Sequence, residues 1–263
     1  RHLVIVEGLK DITVEQLDLL WVCLAAFFAG GLNSLAGGGS FITLPALLST
    51  GVPPVLANTT SAAVLLPGYM GSVVGFKRTY STLQISKIFP IFFIACIFSI
   101  VGATLLVNSS DEFFMKFIPF LIFFATLMFL RKPNTDSNRD SHPKNFLSRV
   151  FLAFVSSYGG YFNGGLGIAL LSALSLDTRF NLKQMSAIKS LLSFFITLTS
   201  VSVFVLNGLI VWSYVLYMIF FSIIGGFLGA KLTESLPTNK IRLFIICIGF
   251  LLSFSLFYIE YLG

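Results

Sequence analysis

The sequence predicts an all-α membrane protein: a polytopic helical bundle of two inverted repeats, each of about five segments with one short broken or re-entrant helix. Three observations predict it. Charge is scarce, with 17 lysines and arginines and 11 acids among 263 residues, of which 56% are hydrophobic. The charges are also missing from four long stretches, 19–76, 88–110, 150–176 and 190–230. Finally, a glycine cluster precedes a short apolar run at the same place in each half of the chain. A soluble surface cannot be built from such uncharged stretches, because exposed apolar surface aggregates. The composition therefore excludes a soluble enzyme, a nucleic-acid-binding domain and a disordered chain.

Taken in order, residues 1–18 carry Glu7, Asp11, Glu15 and Asp18 and read as an N-terminal extracytoplasmic segment. The first transmembrane repeat, 19–130, holds apolar segments at 19–36, 40–50, 54–76, 87–107 and 113–130. A polar linker follows at 131–145, with Pro133 and Pro143. The second repeat, 146–263, holds segments at 146–162, 165–176, 184–206, 210–232 and 241–261. A helical span of the hydrocarbon core needs about 20 residues. The runs are continuous rather than alternating, which selects helices over a barrel. In each half the second segment is too short to span alone. It follows Gly37, Gly38 and Gly39 in one half, and Gly159, Gly160, Gly164, Gly165 and Gly167 in the other.

The halves share spacings. Gly39 and Gly167 lie 128 residues apart, Ser61 and Ser190 129, and Gly102 and Gly229 127. Three landmarks at nearly one offset indicate an internal repeat. Loop charges set the orientation, since lysine and arginine collect in cytoplasmic loops. Lys77, Arg78 and Lys87 face in, Asp111 and Glu112 out, and the linker with Arg131, Lys132, Arg139, Lys144 and Arg149 in. In the second half Arg179 and Lys183 face in, uncharged Asn207-Gly208 out, and Lys231, Lys240 and Arg242 in. Both termini are then extracytoplasmic, and an odd number of segments per half makes the second repeat inverted.

Paired interrupted helices in inverted repeats are a transporter architecture, with the site between the repeats. Broken backbone in a membrane is tolerated where protein or a polar cavity satisfies it. The helix opening at Ser40 aims free N–H groups and a partial positive charge into the break, and the break before Ile168 does so from the opposite direction. Two such ends form a receptor for a small oxyanion; close glycine packing between helices is the other reading. Lys189 is the only charge between Gln184 and Ala230. Such a lysine faces a cavity or partner, or else snorkels to the interface. Its first-half counterpart is the neutral patch Asn58, Thr59, Thr60 and Ser61, which either donates to an anion or bonds between helices. Asn33 and Asn163 precede the breaks, as ligands or as caps. Ser190 follows Lys189 and completes the candidate set.

The remaining features are structural in character. Cys23, Cys96 and Cys247 stand singly in apolar runs and read as small buried residues, and His2 and His142 lie in polar segments, so no metal site is expected. The 30 phenylalanines read as lipid-facing and packing groups, and Trp212, Tyr214 and Tyr217 as an interface belt. No P-loop, zincin or nucleophile-elbow pattern occurs, and no acid, histidine or cysteine in the apolar region has a partner for acid–base work. Neither an enzyme nor a cofactor is expected.

The stretch Gly30 to Arg78, GGLNSLAGGGSFITLPALLSTGVPPVLANTTSAAVLLPGYMGSVVGFKR, resembles the first repeat of the TauE/SafE family of sulfite and organosulfonate exporters, also called the toluene-sulfonate uptake permease family. The match rests on the glycine run, Pro45, Gly51 and Ala57 to Ser61. GGYFNGGLGIALLSAL at 159–174, Gly229 to Leu232 and Leu236-Pro237 extend it. The second repeat departs from the pattern with Leu166 between Gly165 and Gly167, Ala173 in place of a proline, and Ile188-Lys189-Ser190. The resemblance implies a multi-pass secondary transporter of the bacterial inner membrane, exporting a small sulfur-containing anion. The candidate coupling ion is a proton or sodium. The alternative is an anion-selective channel or passive pore. The partners expected are the small anion and the lipid bilayer, with no nucleic acid, and the sequence carries no signal for oligomeric state.

Overall fold

The computed structural model describes residues 16–81, 83, 85–130, 145–176, 180, 182–233 and 238–262. Eleven helices occupy them, and no strand occurs among the described residues. They are α1 (Gln16–Ala36), α2 (Ser40–Ser49), α3 (Pro54–Gly75), α4 (Lys77–Tyr80), α5 (Ile85–Val107) and α6 (Asp111–Leu130), then α7 (Asn145–Tyr161), α8 (Leu166–Leu174), α9 (Leu182–Leu206), α10 (Trp212–Thr233) and α11 (Thr238–Tyr261). Each expected apolar segment is a helix, and the single-turn α4 is an addition. Most of the N-terminal segment, nearly all of the linker with Pro133 and Pro143, both histidines, Arg179 and Leu236-Pro237 lie outside the described residues.

Helix starts follow the local sequence. Pro54 opens α3, where a missing N–H costs nothing. The next N–H of that helix, from Val55, donates to Asp111 Oδ1 at 2.8 Å, so the acid that begins α6 also caps α3. By length and composition alone, three helical stretches among the described residues are sufficient to cross a membrane, Ile88–Val107, Gln184–Leu206 and Trp212–Gly229. Large apolar side chains cover the outside, among them Phe28, Phe89, Phe93, Phe120, Phe220 and Phe254, as a lipid-facing surface requires. Trp212 and Tyr217 are exposed among them, but Tyr214 is 1% exposed and belongs to the core rather than to a belt. Helix rotation separates Tyr214 from Trp212, since residues two apart lie on nearly opposite sides of α10. Likewise Cys23 is buried, whereas Cys247 is exposed on the outer face of α11.

Helices cross closely where glycine removes the side chain. α1 packs along α10, and α5 along α7. A Cβ added at Gly30 would lie 2.1 Å from the Ser222 carbonyl oxygen, and one at Gly225 1.8 Å from that of Phe27. At the second crossing, a Cβ at Gly102 would lie 1.9 Å from the Ser157 oxygen, and one at Gly160 2.1 Å from that of Ser99. Backbone touches backbone at both crossings, the small-residue contact typical of membrane helices. These four glycines thus pack helices, while a different set breaks them.

Candidate functional site

Two helix interruptions frame the site. α1 ends as Gly37 turns with φ +78°, a left-handed angle that glycine adopts at little cost. The chain restarts as α2, ten residues long, about half of a membrane crossing. In the second half α7 ends at Tyr161, Gly165 turns with φ +74°, and α8 runs for nine residues. The interruptions touch each other. A Cβ on Gly37 would stand 3.1 Å from the Gly167 Cα, and one on Gly164 2.9 Å from the Phe41 ring. The N-terminal ends of both short helices therefore meet inside the protein.

A small polar cavity of about 10 Å³ lies against this junction, lined by Asn33, Gly37, Gly68, Tyr69, Ser72, Gly167, Lys189, Ser190 and Ser193. It has room for about one water. Both halves build the wall, through α1, the first break, α3, α8 and α9. Lys189 is its one charged residue, and no hydrogen bond or ion pair to its ammonium occurs among the described residues. Asn33 Oδ1 and Ser193 Oγ are buried without a hydrogen-bond partner among the described residues. Unpaired buried polar atoms are costly. Their gathering beside a cation marks a place shaped for a polar guest.

Hydrogen bonds between the halves hold the wall. Ser72 Oγ donates to Ser190 Oγ at 2.9 Å, and Ser190 in turn to the Ser186 carbonyl at 3.0 Å. The Tyr69 hydroxyl donates to Asn163 Oδ1 at 3.1 Å, and Asn163 Nδ2 to Thr197 Oγ1 at 2.9 Å. The cavity thus offers a cation and hydroxyls, but no carboxylate or paired nucleophile. Its charge and donors suit an anion, and it has no paired acid and base for chemistry on a bound substrate.

Of the residues the sequence singled out, Asn33, Gly37, Gly167, Lys189 and Ser190 line the cavity. Gly38, Gly39 and Ser40 are buried in the first break, where a Cβ on Gly39 would meet the Ala29 oxygen at 2.7 Å. Asn163, Gly164 and Gly165 form the second break behind the lining; Asn163 anchors Tyr69, and the Gly164 carbonyl accepts from Tyr158 at 2.5 Å. The Asn58 to Ser61 patch lies apart from the cavity. Asn58 Nδ2 donates to the Tyr161 carbonyl at 2.9 Å, Thr59 Oγ1 to the Leu209 carbonyl, and Thr60 Oγ1 accepts from the Val211 N–H at 3.1 Å. Ser61 and Thr43 share a hydrogen bond of 2.6 Å. Gly68, Tyr69, Ser72 and Ser193 are lining residues that the sequence reading missed. Helical spacing points to Ser193, one turn beyond Lys189 on the same face of α9.

The model of the family described as "Sulfite exporter TauE/SafE" matches residues 22–256. A "Probable membrane transporter protein" of Haemophilus influenzae is 32% identical over 251 residues, covering 94% of this chain and 97% of that protein. "Probable membrane transporter protein ORF9" of a Sinorhizobium species is 28% identical, covering 85% and 84% respectively. "Probable membrane transporter protein YfcA" of Escherichia coli K12 is 26% identical, covering 93% and 91%. No solved structure matches.

Proposed function

The chain belongs to the sulfite exporter TauE/SafE family and is a membrane transporter rather than an enzyme; from that premise we propose that it exports a small sulfur-containing anion, sulfite or an organosulfonate, by alternating access. The single observation that carries this reading is the cavity where the two helix breaks meet, with Lys189 in its wall. A fixed cation, hydroxyl donors and two converging helix ends favour an oxyanion together. With room for about one water, the cavity is in its closed form. Loading parts the Ser72–Ser190 and Tyr69–Asn163 bridges between the halves.

Matched contacts support the inverted-repeat part of the reading. The Gly30–Ser222 and Phe27–Gly225 contacts have the counterparts Gly160–Ser99 and Ser157–Gly102. Gly37 and Gly165, 128 residues apart, share the left-handed turn. Thr59 bonds Leu209 in the loop after α9, and Ala187 accepts from Tyr80 in the connection after α3. On this pairing Gly102 corresponds to Gly225, four residues before the Gly229 that sequence spacing selects. The same pairing matches Asn33, Tyr69 and Ser72 with Asn163, Thr197 and Ser200. The first set lines the cavity, whereas in the second Asn163 Nδ2 donates to Thr197 Oγ1 and Ser200 Oγ to the Thr197 carbonyl, the asymmetry expected of a carrier on one side of its cycle. Placement in the bacterial inner membrane with both termini outside belongs to the same proposal.

Sulfite flux into vesicles reconstituted with the purified protein tests it. Saturable flux that stimulates counterflow supports the carrier. Conductance that rises linearly with sulfite concentration refutes it in favour of a pore.

A further inference from the structure

Lys189 creates an electrostatic difficulty that an anion site alone does not resolve. Once the anion has left, the cavity must close and return with an ammonium in its wall. No aspartate or glutamate occurs in α3, α4, α5, α7 or α8, the helices packed on α9. The titratable groups that α3 and α4 bring towards it are Tyr69 in the lining and Tyr80, whose hydroxyl donates to the Ala187 carbonyl at 3.3 Å. Arg149 on α7 is exposed, α1 contributes Asn33, and α8 contributes Gly167. An ammonium shut away from water without a counter-charge costs several kcal/mol. Either an anion always occupies the site, or the proton leaves with the anion.

We propose that Lys189 carries the coupled proton of the transport cycle. The inference rests on the anion-site reading above. In the loaded state the ammonium and the anion cancel, and the cavity crosses as a nearly neutral pair. After the anion departs, Nζ gives its proton to water on that same side, leaving a neutral amine and a hydronium ion. The empty cavity closes around the neutral amine, returns, and takes a proton from water on the loading side before the next anion binds. Each cycle moves one anion and one proton together, so the transported charge is one unit less negative than the anion itself. Ser61, which the pairing above matches with Lys189, and its neighbour Thr60 are neutral hydroxyls that cannot carry a proton, so the first half has no second copy of the device.

The test is the equilibrium accumulation of sulfite in reconstituted vesicles, at equal pH on both sides, under potassium-valinomycin potentials. This ratio depends on the charge moved per cycle and not on the rate, so a slow variant still reports. Relative to the parent, Lys189→Met gains one negative charge per cycle, a further factor of ten in accumulation for each ~59 mV. Lys189→Gln repeats the result. An identical voltage dependence in parent and variants overturns the proposal. Should both variants be inert, the parent alone decides at mildly acidic pH, where sulfite is a monoanion. Saturable uptake whose plateau ignores voltage supports the proton on Lys189, and a tenfold change per ~59 mV overturns it. A parent that moves no sulfite at all removes the exporter reading and this inference together. A parent that moves sulfite with its full charge removes this inference only.

Discussion

Substituting Gly37 by alanine tests whether the two helix breaks support each other. Two costs act there. Alanine at φ +78° loses about 1 kcal/mol relative to glycine from backbone sterics. Its Cβ would also stand 3.1 Å from the Gly167 Cα and 3.2 Å from the Gly167 N, atoms of a backbone that cannot rotate away. Overpacking of that kind costs about 1–3 kcal/mol. Gly51 provides the matched control, because it has the same φ of +78° with nothing within 4 Å of an added Cβ. Gly51→Ala should therefore lose about 1 kcal/mol and Gly37→Ala about 2–4 kcal/mol, read as denaturation midpoints of the purified proteins in detergent. Sulfite affinity should fall in Gly37→Ala and hold in Gly51→Ala. Equal destabilisation by both would refute the contact between the breaks, since the backbone cost would then account for everything.

Further expectations follow from the same geometry. Gly160→Ala and Gly225→Ala drive a Cβ to 2.1 and 1.8 Å from a carbonyl oxygen, so each should destabilise by about 3 kcal/mol or more in a detergent melt. Gly71→Ala, inside α3 with nothing within 4 Å, should instead stabilise by up to about 1 kcal/mol through helix propensity. Tyr69→Phe removes the donor to Asn163 Oδ1 and should cost about 1–3 kcal/mol in the same melt, while vesicle flux reports the loosened cavity wall. Single cysteines at Asn138 and Asn207 should be labelled by an impermeant reagent from opposite sides of the membrane. Labelling from one side would break the inverted topology.

Much of this arrangement is legible in the residues themselves. Uncharged runs mark the helices because the bilayer excludes charge, and glycine clusters mark the breaks because few other residues tolerate a turn there. Lys189 stands out because a charge inside a membrane helix is expensive. The rotation and depth of α3 are not legible. Asn58, Ser61, Tyr69 and Ser72 lie on one stripe of that helix, and sequence alone does not say which level of the stripe meets the cavity. From Thr60 to Tyr69 is about 14 Å at helical rise, far enough to separate two environments. The upper group spends its hydrogen bonds on Tyr161, Leu209, Val211 and Thr43, tying α3 to its neighbours. The lower group faces Lys189 across the gap. Tyr69 escaped notice because an aromatic in a membrane helix reads first as packing, and only the fold brings its hydroxyl to Asn163. The contact pairing proposed above matches Gly102 with Gly225 where spacing selects Gly229: four residues are about one helical turn, and spacing does not resolve a slip of one turn.

Calorimetric titration of sulfite into the purified parent, Lys189→Ala and Ser61→Ala tests the central claim most directly. A charge-assisted contact is worth about 1.5–3 kcal/mol, so Lys189→Ala should weaken binding by about 10- to 100-fold. Ser61→Ala, which removes only a bond to Thr43 away from the cavity, should bind as the parent does. Unchanged sulfite affinity in Lys189→Ala, or a loss confined to Ser61→Ala, would contradict an anion site at the meeting of the two breaks.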